Sequence, residues 1–286
     1  MGVVMMSENQ IRRQVLHETI TAFENQNPAS KYYHMAQDNL RKWKETCQPP
    51  KRNLEGRCEL RIIAGDWGDV TQSLTRETGE IFAVLNMANP YYPGGGYLEG
   101  MVAQEENMFR RTDCHFSLDE SMLEKIPFED TLVYKPEIVK LIEGRNGRVY
   151  LDTEEFRVCI RGRENRQLDD LGYHWLSDDE IFPFYELRSA AIDMKKSDLE
   201  FDQVGMEARI EAQLDTLISA NIRHAVLGAF GCGSFANPAE KVARCYLKCL
   251  SKRGTEFDLI AFAIWSAGYG RDNFTPFKEV FKEWAF

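Results

Sequence analysis

The sequence predicts an α/β fold with a largely parallel sheet. Along its 286 residues, apolar runs of strand length alternate with segments of helical period, and no internal repeat is visible. Two glycine-rich segments each follow an apolar run, at the point where a strand passes into a helix. Alternating strands and helices pair in parallel through right-handed crossovers. We therefore expect one α/β core with ligand-binding loops at the carboxyl ends of its strands.

Residues 1–55 predict a helical segment that packs on this core. Ser7–Gln10 has the pattern of a capping box, and apolar residues then recur at helical spacing until Asn27–Pro28. A second helical stretch follows, and residues 48–50 are typical of a linker. The chain is therefore expected to divide into an N-terminal helical segment, 1–55, and a core domain, 56–286.

The first half of the core domain alternates strands and helices. The predicted order is a strand with alternating apolar residues, a short helix, a nearly continuous apolar strand and, after a glycine-rich loop, a second helix. These elements are predicted at 58–62, around 70–74, at 81–87 and up to Arg111. A continuous apolar strand is typical of a strand covered on both faces.

The segment from about 135 to 180 has mixed charge and little helical period, so we predict an excursion from the core. It contains two short β-like runs, at 149–151 and 156–160. The basic stretch 161–166 favours a solvated turn over a phosphate contact.

The last third returns to alternation. A helix ends at Asn221, two strands and a helix follow, and a final helix begins at Thr275. The strands are predicted at 222–227 and 257–264. The helix between them is expected to open at Asn237–Pro238, with Asn237 as its N-cap, and to close at Gly254.

Composition excludes several classes of function. The formal net charge is −10, which disfavours general binding to nucleic acid. Seven cysteines without a Cys-x-x-Cys motif argue against a disulfide scaffold or zinc ribbon and favour a cytoplasmic protein. Cys245 and Cys249 are four residues apart, which favours a buried helix face over half a metal site. We expect no metal and no cofactor. No apolar run approaches the ~20 residues that span a membrane, and we recognise no secretory signal.

The two glycine loops, 89–96 and 228–233, point to an anionic ligand. Three consecutive glycines cost conformational entropy and supply no packing, so a close approach by a ligand is a plausible reason for them. Backbone N–H groups ahead of a helix bind anions, and two such loops on neighbouring strands suit a pyrophosphate. Turn chemistry alone is the alternative. Neither loop matches the common nucleotide-binding or serine-hydrolase motifs. An activated Cys232 thiol is a further, weaker alternative.

Gln104–Glu105–Glu106 opens the helix after the first loop. A carboxylate that is desolvated beside a bound pyrophosphate has a raised pKa and suits a general acid. Acids in a first helical turn also favour the helix dipole without any catalytic role.

Gly94–Gly96, followed after seven residues by Gln104–Glu106, resembles the GGG-x(6–8)-QEE motif of poly(ADP-ribose) glycohydrolases. Pro93 and Ala88–Asn89 resemble the microbial branch, and 228–235 resembles the family's diphosphate loop. The resemblance covers about 62–111 and 222–281. It implies a macrodomain, a three-layer α/β/α fold, with 56–286 as the catalytic domain.

The resemblance also implies residue roles. Glu106 would be the catalytic acid and base, and Glu105 would hold hydroxyls of the ribose beside the scissile bond, which Asn89 also faces. Asp66 would bind the adenine amine, with Asp69 as a competitor for that role. The other substrate-binding residues would be Gly94, Gly95, Gly96, Gln104, Gly228, Ala229, Phe230, Gly231, Cys232, Gly233, Ser234 and Phe235, the last beside the terminal ribose.

The implied reaction is hydrolysis of ribose–ribose O-glycosidic bonds in poly(ADP-ribose), with ADP-ribose as product. The implied partners are the polymer or ADP-ribosylated proteins. Removal of a single ADP-ribose from a protein or nucleic acid, and binding of ADP-ribose without cleavage, stay open. Two features depart from the family pattern. The 135–180 excursion has no equivalent that we can place, and 192–194 (Ile-Asp-Met) stands where a more apolar strand end is expected.

Overall fold

The computed structural model describes residues 6–24, 30–47, 56–127, 129, 131–195, 200–266, 270–282 and 284. Within these residues the helices are α1 (Glu8–Glu24), α2 (Ser30–Lys44), α3 (Trp67–Thr78), α4 (Gln104–Arg111), α5 (Pro136–Ile142), α6 (Gln203–Ser219), α7 (Ala239–Arg253) and α8 (Phe274–Phe281). The strands are β1 (Glu59–Ile63), β2 (Ala83–Met87), β3 (Leu123–Lys125), β4 (Leu132–Tyr134), β5 (Tyr150–Leu151), β6 (Arg157–Cys159), β7 (Phe182–Ser189), β8 (His224–Leu227) and β9 (Leu259–Ala263).

Seven strands form one sheet in the order β1-β9-β8-β2-β7-β5, with β6 also paired to β7. The first five strands in this order are parallel, namely β1, β9, β8, β2 and β7. Strands β5 and β6 run antiparallel to β7. Strands β3 and β4 make a separate antiparallel pair. The predicted α/β fold with a largely parallel sheet is therefore confirmed.

Helices cover both faces of the sheet, which gives three layers. Successive residues of a strand point to opposite faces, and Leu85 accordingly joins the apolar cluster under α6, α7 and α8. Its neighbour Val84 joins the cluster that contains residues of α1, α3 and α4. Helix α2 packs with the end of α1 and β6 through Ala36 and Val158. Strand β2 thus packs against apolar residues on both faces, as the continuous run at 81–87 predicts.

Local signals define the ends of several helices. Ser7 and Gln10 exchange capping bonds before α1, with Ser7 N–H donating to Gln10 Oε1 at 2.8 Å. Helix α3 begins at the N-cap Asp66 and ends at Gly79, whose φ of +69° is left-handed. The predicted stop at 27–28 and linker at 48–50 lie outside the described residues. The division at residue 55 stays a prediction.

Strand β7 is the main element that the sequence analysis missed. Its segment contains Glu186 and Arg188, and these charges mask a buried strand that lies between β2 and β5. Residues 192–194, expected near a strand end, lie beyond β7 in irregular structure.

The prediction of a solvated turn at 161–166 is wrong for Arg161. This side chain is buried, and its guanidinium donates to Glu18, Thr19 and the carbonyl oxygen of Tyr173. The stretch starts a hairpin, residues 160–176, which packs on α1.

Candidate active site

The carboxyl ends of the parallel strands bring the predicted site residues to one edge of the sheet. Asp66 follows β1, the first glycine loop follows β2, and the second glycine loop follows β8. Strands β2 and β8 are neighbours, as the sequence analysis expected. A Cβ atom at Gly228 would lie 3.4 Å from Cε of Met87, the last residue of β2. The two loops therefore leave the sheet side by side.

Gln104 attaches the first turn of α4 to the end of β2. Its Oε1 accepts the Met87 N–H at 2.9 Å, and its Nε2 donates to the Leu85 carbonyl oxygen at 2.9 Å. The side-chain amide therefore satisfies backbone groups that no further strand pairs with at this point. Gln104 is expected to bind substrate, but the structure gives its amide a positioning contact.

Glu105 and Glu106 are both buried, and each has one oxygen bound to the first loop. Oε2 of Glu105 accepts the Asn89 N–H at 2.7 Å, and Oε1 of Glu106 accepts the Gly96 N–H at 3.0 Å. Among the described residues, Oε1 of Glu105 and Oε2 of Glu106 have no hydrogen-bond partner. An unpaired buried polar atom costs ~1–3 kcal/mol. Both acids therefore keep an oxygen that a ligand can satisfy.

The surroundings of Glu105 raise its pKa. Burial and the neighbouring Glu106 charge raise the pKa of Glu105 well above its ordinary value, although the Asn89 N–H opposes this. Burial therefore favours the neutral form of Glu105. The sequence analysis expects the general acid at Glu106, and that assignment stays a prediction.

Backbone conformation and close packing within the protein explain why the first loop contains glycines. Gly94 and Gly95 have left-handed φ values of +71° and +60°. A Cβ at Gly94 would lie 2.6 Å from the Tyr97 ring, and one at Gly96 would lie 2.6 Å from Cγ of Met101. The loop thus packs tightly on itself and on the acids, as well as on any ligand.

The second loop resembles an anion cradle. Among the described residues, the backbone N–H groups of Gly231, Gly233 and Ser234 donate to no protein acceptor. A Cβ at Gly233 would meet nothing within 4 Å, and its φ is not left-handed. The described part of the chain therefore gives no reason for glycine at position 233, whereas close approach of a ligand would give one.

Asn237 organises this loop, a role that the sequence analysis missed. Its Nδ2 donates to the carbonyl oxygens of Ile192 at 2.8 Å and Gly231 at 3.0 Å. Met194 N–H donates to the Phe235 carbonyl oxygen at 3.0 Å. The segment after β7 thus supports the second loop. The N-cap of α7 is Pro238, so the N-cap prediction for Asn237 is wrong.

Three residues of the second loop contribute backbone only. The side chains of Ala229, Phe230 and Cys232 are buried in the core. Burial raises the pKa of the Cys232 thiol to about 12, so this cysteine is not an activated nucleophile. Phe235 is half-buried at the edge of the same cluster, and Ser234 is exposed.

Asp66 has one oxygen engaged and one available. Oδ1 accepts from Gly68 N–H, Asp69 N–H and Arg111 Nη1, the last at 2.7 Å, whereas no described donor reaches Oδ2. Asp69 is half-exposed and forms an ion pair with Arg163 at 3.1 Å. The structure favours Asp66 over Asp69 as the acid that meets a ligand.

Asn89 shapes the start of the first loop. Its Oδ1 accepts the N–H groups of Tyr91 and Tyr92, both at 2.9 Å. The side-chain nitrogen of Asn89, Nδ2, donates to no acceptor among the described residues. It therefore keeps its donors for a ligand beside Glu105.

A buried ion pair beneath the acids was also missed. Glu186 and Arg188 have fully buried side chains 2.8 Å apart. Arg188 also donates to the Tyr134 hydroxyl at 3.0 Å, and Asn86 donates to Glu186 at 2.7 Å. The Arg188 charge lowers the pKa of Glu105 and so counters part of the effect of burial. Two residues of opposite charge at positions i and i+2 of an apolar segment would indicate an ion pair on one face of a strand.

Among the described residues, no group of three or more potential ligands is placed to hold a metal. In the same part of the chain, no helix is both long and apolar enough to cross a membrane.

Residues 10–137 match the family model of the microbial-type PARG catalytic domain. The resemblance that the glycine and acid motif carries is therefore confirmed over this range. No curated protein matches the sequence.

The fold is similar to that of poly(ADP-ribose) glycohydrolase from Thermomonospora curvata, with a TM-score of 0.64 and 19% identity over 94% of this chain and 99% of that one. The same protein bound to the inhibitor ADP-HPD matches with a TM-score of 0.61 and 20% identity, over 94% and 98%. The poly(ADP-ribose) glycohydrolase from Deinococcus radiodurans in complex with ADP-ribose matches with a TM-score of 0.56 and 18% identity, over 88% and 93%. These likenesses confirm the expected macrodomain-like fold.

Proposed function

We propose that this chain is a microbial-type poly(ADP-ribose) glycohydrolase, which hydrolyses ribose–ribose O-glycosidic bonds and releases ADP-ribose. One observation carries the proposal. Glu105 and Glu106 each bind the first loop through one oxygen and keep a second, buried oxygen unpaired among the described residues. A module that only binds ADP-ribose has no need of two such acids. The family match over 10–137 supports the same activity.

The substrate is proposed to lie across the edge of the sheet. The diphosphate binds the N–H groups of Gly231, Gly233 and Ser234, which donate to no acceptor within the described residues, since closely spaced backbone donors suit an anion. Oδ2 of Asp66 accepts the adenine amine. Phe235 packs beside the terminal ribose. The negative net charge of the chain makes these local donors essential for binding a polyanion.

Burial and the neighbouring Glu106 charge raise the pKa of Glu105 in the free protein. Ribose hydroxyls that donate to Glu105 favour its charged form. Glu106 is left as the acid that serves the scissile bond. Glu105 and the Asn89 amide then hold the ribose in place.

Bond cleavage follows from this arrangement. Glu106 donates its proton to the leaving ribose oxygen, the C–O bond breaks, and the anomeric carbon becomes oxocarbenium-like. The substrate's diphosphate stabilises that positive charge. A water then attacks the carbon, and the Glu106 carboxylate accepts the water's proton. One carboxylate acts as acid and then as base, unlike the usual glycosidase pair.

The test is release of ADP-ribose from labelled poly(ADP-ribose) without added metal. Glu106→Gln keeps an acceptor for the Gly96 N–H and removes the acid, so the rate is expected to fall by about 10²-fold or more while ADP-ribose still binds. Glu99→Gln is the control, because Glu99 is an exposed acid between the first glycine loop and α4. Its rate is expected to be unchanged.

Other outcomes assign other functions. Release only from mono-ADP-ribosylated protein or nucleic acid would make the chain a mono-ADP-ribosyl hydrolase. Binding without release from any substrate would make it a recognition module and refute the proposal.

We place the protein in the cytoplasm, which its seven free cysteines favour.

A further inference from the structure

The Tyr173 hydroxyl connects the acid-bearing helix α4 to the 160–176 hairpin. This side chain is fully buried. Its oxygen accepts from Arg110 Nε at 3.1 Å and from Asn107 Nδ2 at 3.3 Å, and it donates to Glu164 Oε2 at 2.6 Å. Asn107 directly follows Glu106, and Arg110 lies three residues after Asn107, so Asn107 and Arg110 face the same side of α4.

Glu164 extends this contact to the N-terminal helix. Arg12 of α1 donates to both Glu164 oxygens, at 3.2 and 2.8 Å, and its own side chain is only 2% exposed. Burial alone would raise the pKa of Glu164, yet hydrogen bonds from Arg12, Tyr173 and Arg166 lower it to about 2. Glu164 therefore stays charged and paired at neutral pH. We call Arg12, Glu164, Tyr173, Arg110 and Asn107 the Tyr173 network.

The hairpin backbone is strained where it presents Tyr173. Leu171 and Tyr173 have left-handed φ values of +61° and +53°, with Gly172 at +72° between them. Residues with side chains disfavour this conformation. Such strain persists only where surrounding contacts enforce it, and it clusters at functional sites. The geometry thus holds one hydroxyl against α4.

The same helix is also tied to the loop that precedes it. Arg110 Nη1 donates to the Met101 carbonyl oxygen at 2.8 Å. Thr19 of α1 donates to the Arg110 carbonyl oxygen at 2.8 Å. A Cβ at Gly100 would lie 2.3 Å from the Asn9 carbonyl oxygen, so the first turn of α1 lies directly on this loop. Helix α1 therefore contacts both the acid-bearing helix and the segment that leads into it.

We propose that α1 and the 160–176 hairpin are positioning elements of the active site, with Tyr173 as the positioning residue that sets the placement of Glu105 and Glu106 through α4. This inference rests on the proposed function for its effect on catalysis. It also gives a role to the N-terminal segment and to part of the excursion. A displacement of about 1 Å in a catalytic group lowers a rate by ~10²-fold, so a loosened α4 reduces turnover more than binding.

The experiment compares Tyr173→Phe with wild type. The variant removes the hydroxyl and keeps the ring. Tyr246→Phe is the matched control, since Tyr246 is equally buried and its hydroxyl donates to Gln213 at 2.8 Å on the opposite face of the sheet. Steady-state release of ADP-ribose gives kcat and KM. Hydrogen–deuterium exchange of the amides of 104–111 reports on α4 independently of activity.

For Tyr173→Phe we expect kcat to fall by about tenfold or more with KM within about threefold of wild type. We also expect faster exchange in α4. Tyr246→Phe is expected to leave kcat and α4 exchange unchanged. If Tyr173→Phe does not fold, Arg12→Lys keeps the charge and weakens the two-point contact with Glu164. The same split between kcat and KM is expected for it.

Two results separate the proposals. Unchanged kcat and unchanged α4 exchange in Tyr173→Phe would overturn the positioning role and leave the proposed function intact. A wild-type protein that binds ADP-ribose but releases none would end the proposed function. In that case α4 exchange alone decides whether the Tyr173 network holds the helix.

Discussion

A Cβ atom at Gly95 would lie 2.5 Å from Oε1 of Glu106. That oxygen accepts the N–H of the next residue, Gly96, at 3.0 Å. A side chain at position 95 would therefore displace the Glu106 carboxylate. The triple glycine serves the geometry of the acids as much as the approach of a ligand.

Gly95→Ala is expected to lower ADP-ribose release by about 10²-fold or more, because the methyl group displaces the Glu106 carboxylate. Gly147→Ala is the matched control. Gly147 has a similar φ of +70°, but a Cβ there would meet nothing within 4 Å. It should lose ~1 kcal/mol of stability from backbone strain and keep full activity. Equal activity in the two variants would contradict this account.

Gly233→Ala tests the anion cradle. The protein leaves room for this methyl group, so the free energy of unfolding is expected to change by less than ~0.5 kcal/mol. The affinity for ADP-ribose, measured by calorimetry, is expected to fall by about tenfold or more, because the methyl group blocks close approach to the N–H groups. Gly231→Ala should differ by losing stability too, since its Cβ would lie 2.4 Å from Ala191 Cβ. Unaltered affinity in Gly233→Ala would remove this loop from the binding site.

Gln104→Leu is expected to lower the free energy of unfolding by ~1–3 kcal/mol, because the Met87 N–H and the Leu85 carbonyl lose their partner. Denaturant titration measures this loss. Gln203→Leu, at an exposed glutamine of α6, is the control and should change stability by less than ~0.5 kcal/mol. If the two variants are equally stable, Gln104 does not position α4.

The raised pKa of Glu105 makes folding depend on pH. An acid whose pKa is higher in the folded state contributes full stability below its unfolded pKa, here about 4.5. That contribution is lost as the pH rises through the folded value. The free energy of unfolding of Glu105→Gln relative to wild type is therefore expected to rise from pH 4.5 to pH 7.5. Denaturant titrations at several pH values measure this difference. A difference that does not change with pH would show that folding does not raise the pKa of Glu105.

Cys232→Ala is expected to keep the rate of ADP-ribose release within about threefold of wild type, because a buried thiol with a raised pKa is inert. Iodoacetamide should likewise leave the folded enzyme active. Loss of activity in Cys232→Ala, with the fold intact, would restore the cysteine as a candidate nucleophile.

Much of the fold could be predicted because its signals are local. The capping box at Ser7–Gln10, the continuous apolar run of β2 and the turn at Gly254 each depend on neighbouring residues. Strand β7 could not be found in this way. Glu186 and Arg188 neutralise one another in three dimensions, and their charges conceal a buried strand from any count of apolar residues.

The candidate site was likewise predictable only in part. Three glycines and two acids at a set spacing identify the loop, the helix and the chemistry they suit, since that information is contained in the order of residues. The raised pKa of Glu105, the contacts of Gln104 and the support of α4 depend on partners elsewhere in the chain. Asn89 approaches Glu105, and Arg12 approaches Glu164, only after the sheet has assembled. Burial and hydrogen bonding are properties of that assembly, so spacing alone does not reveal them.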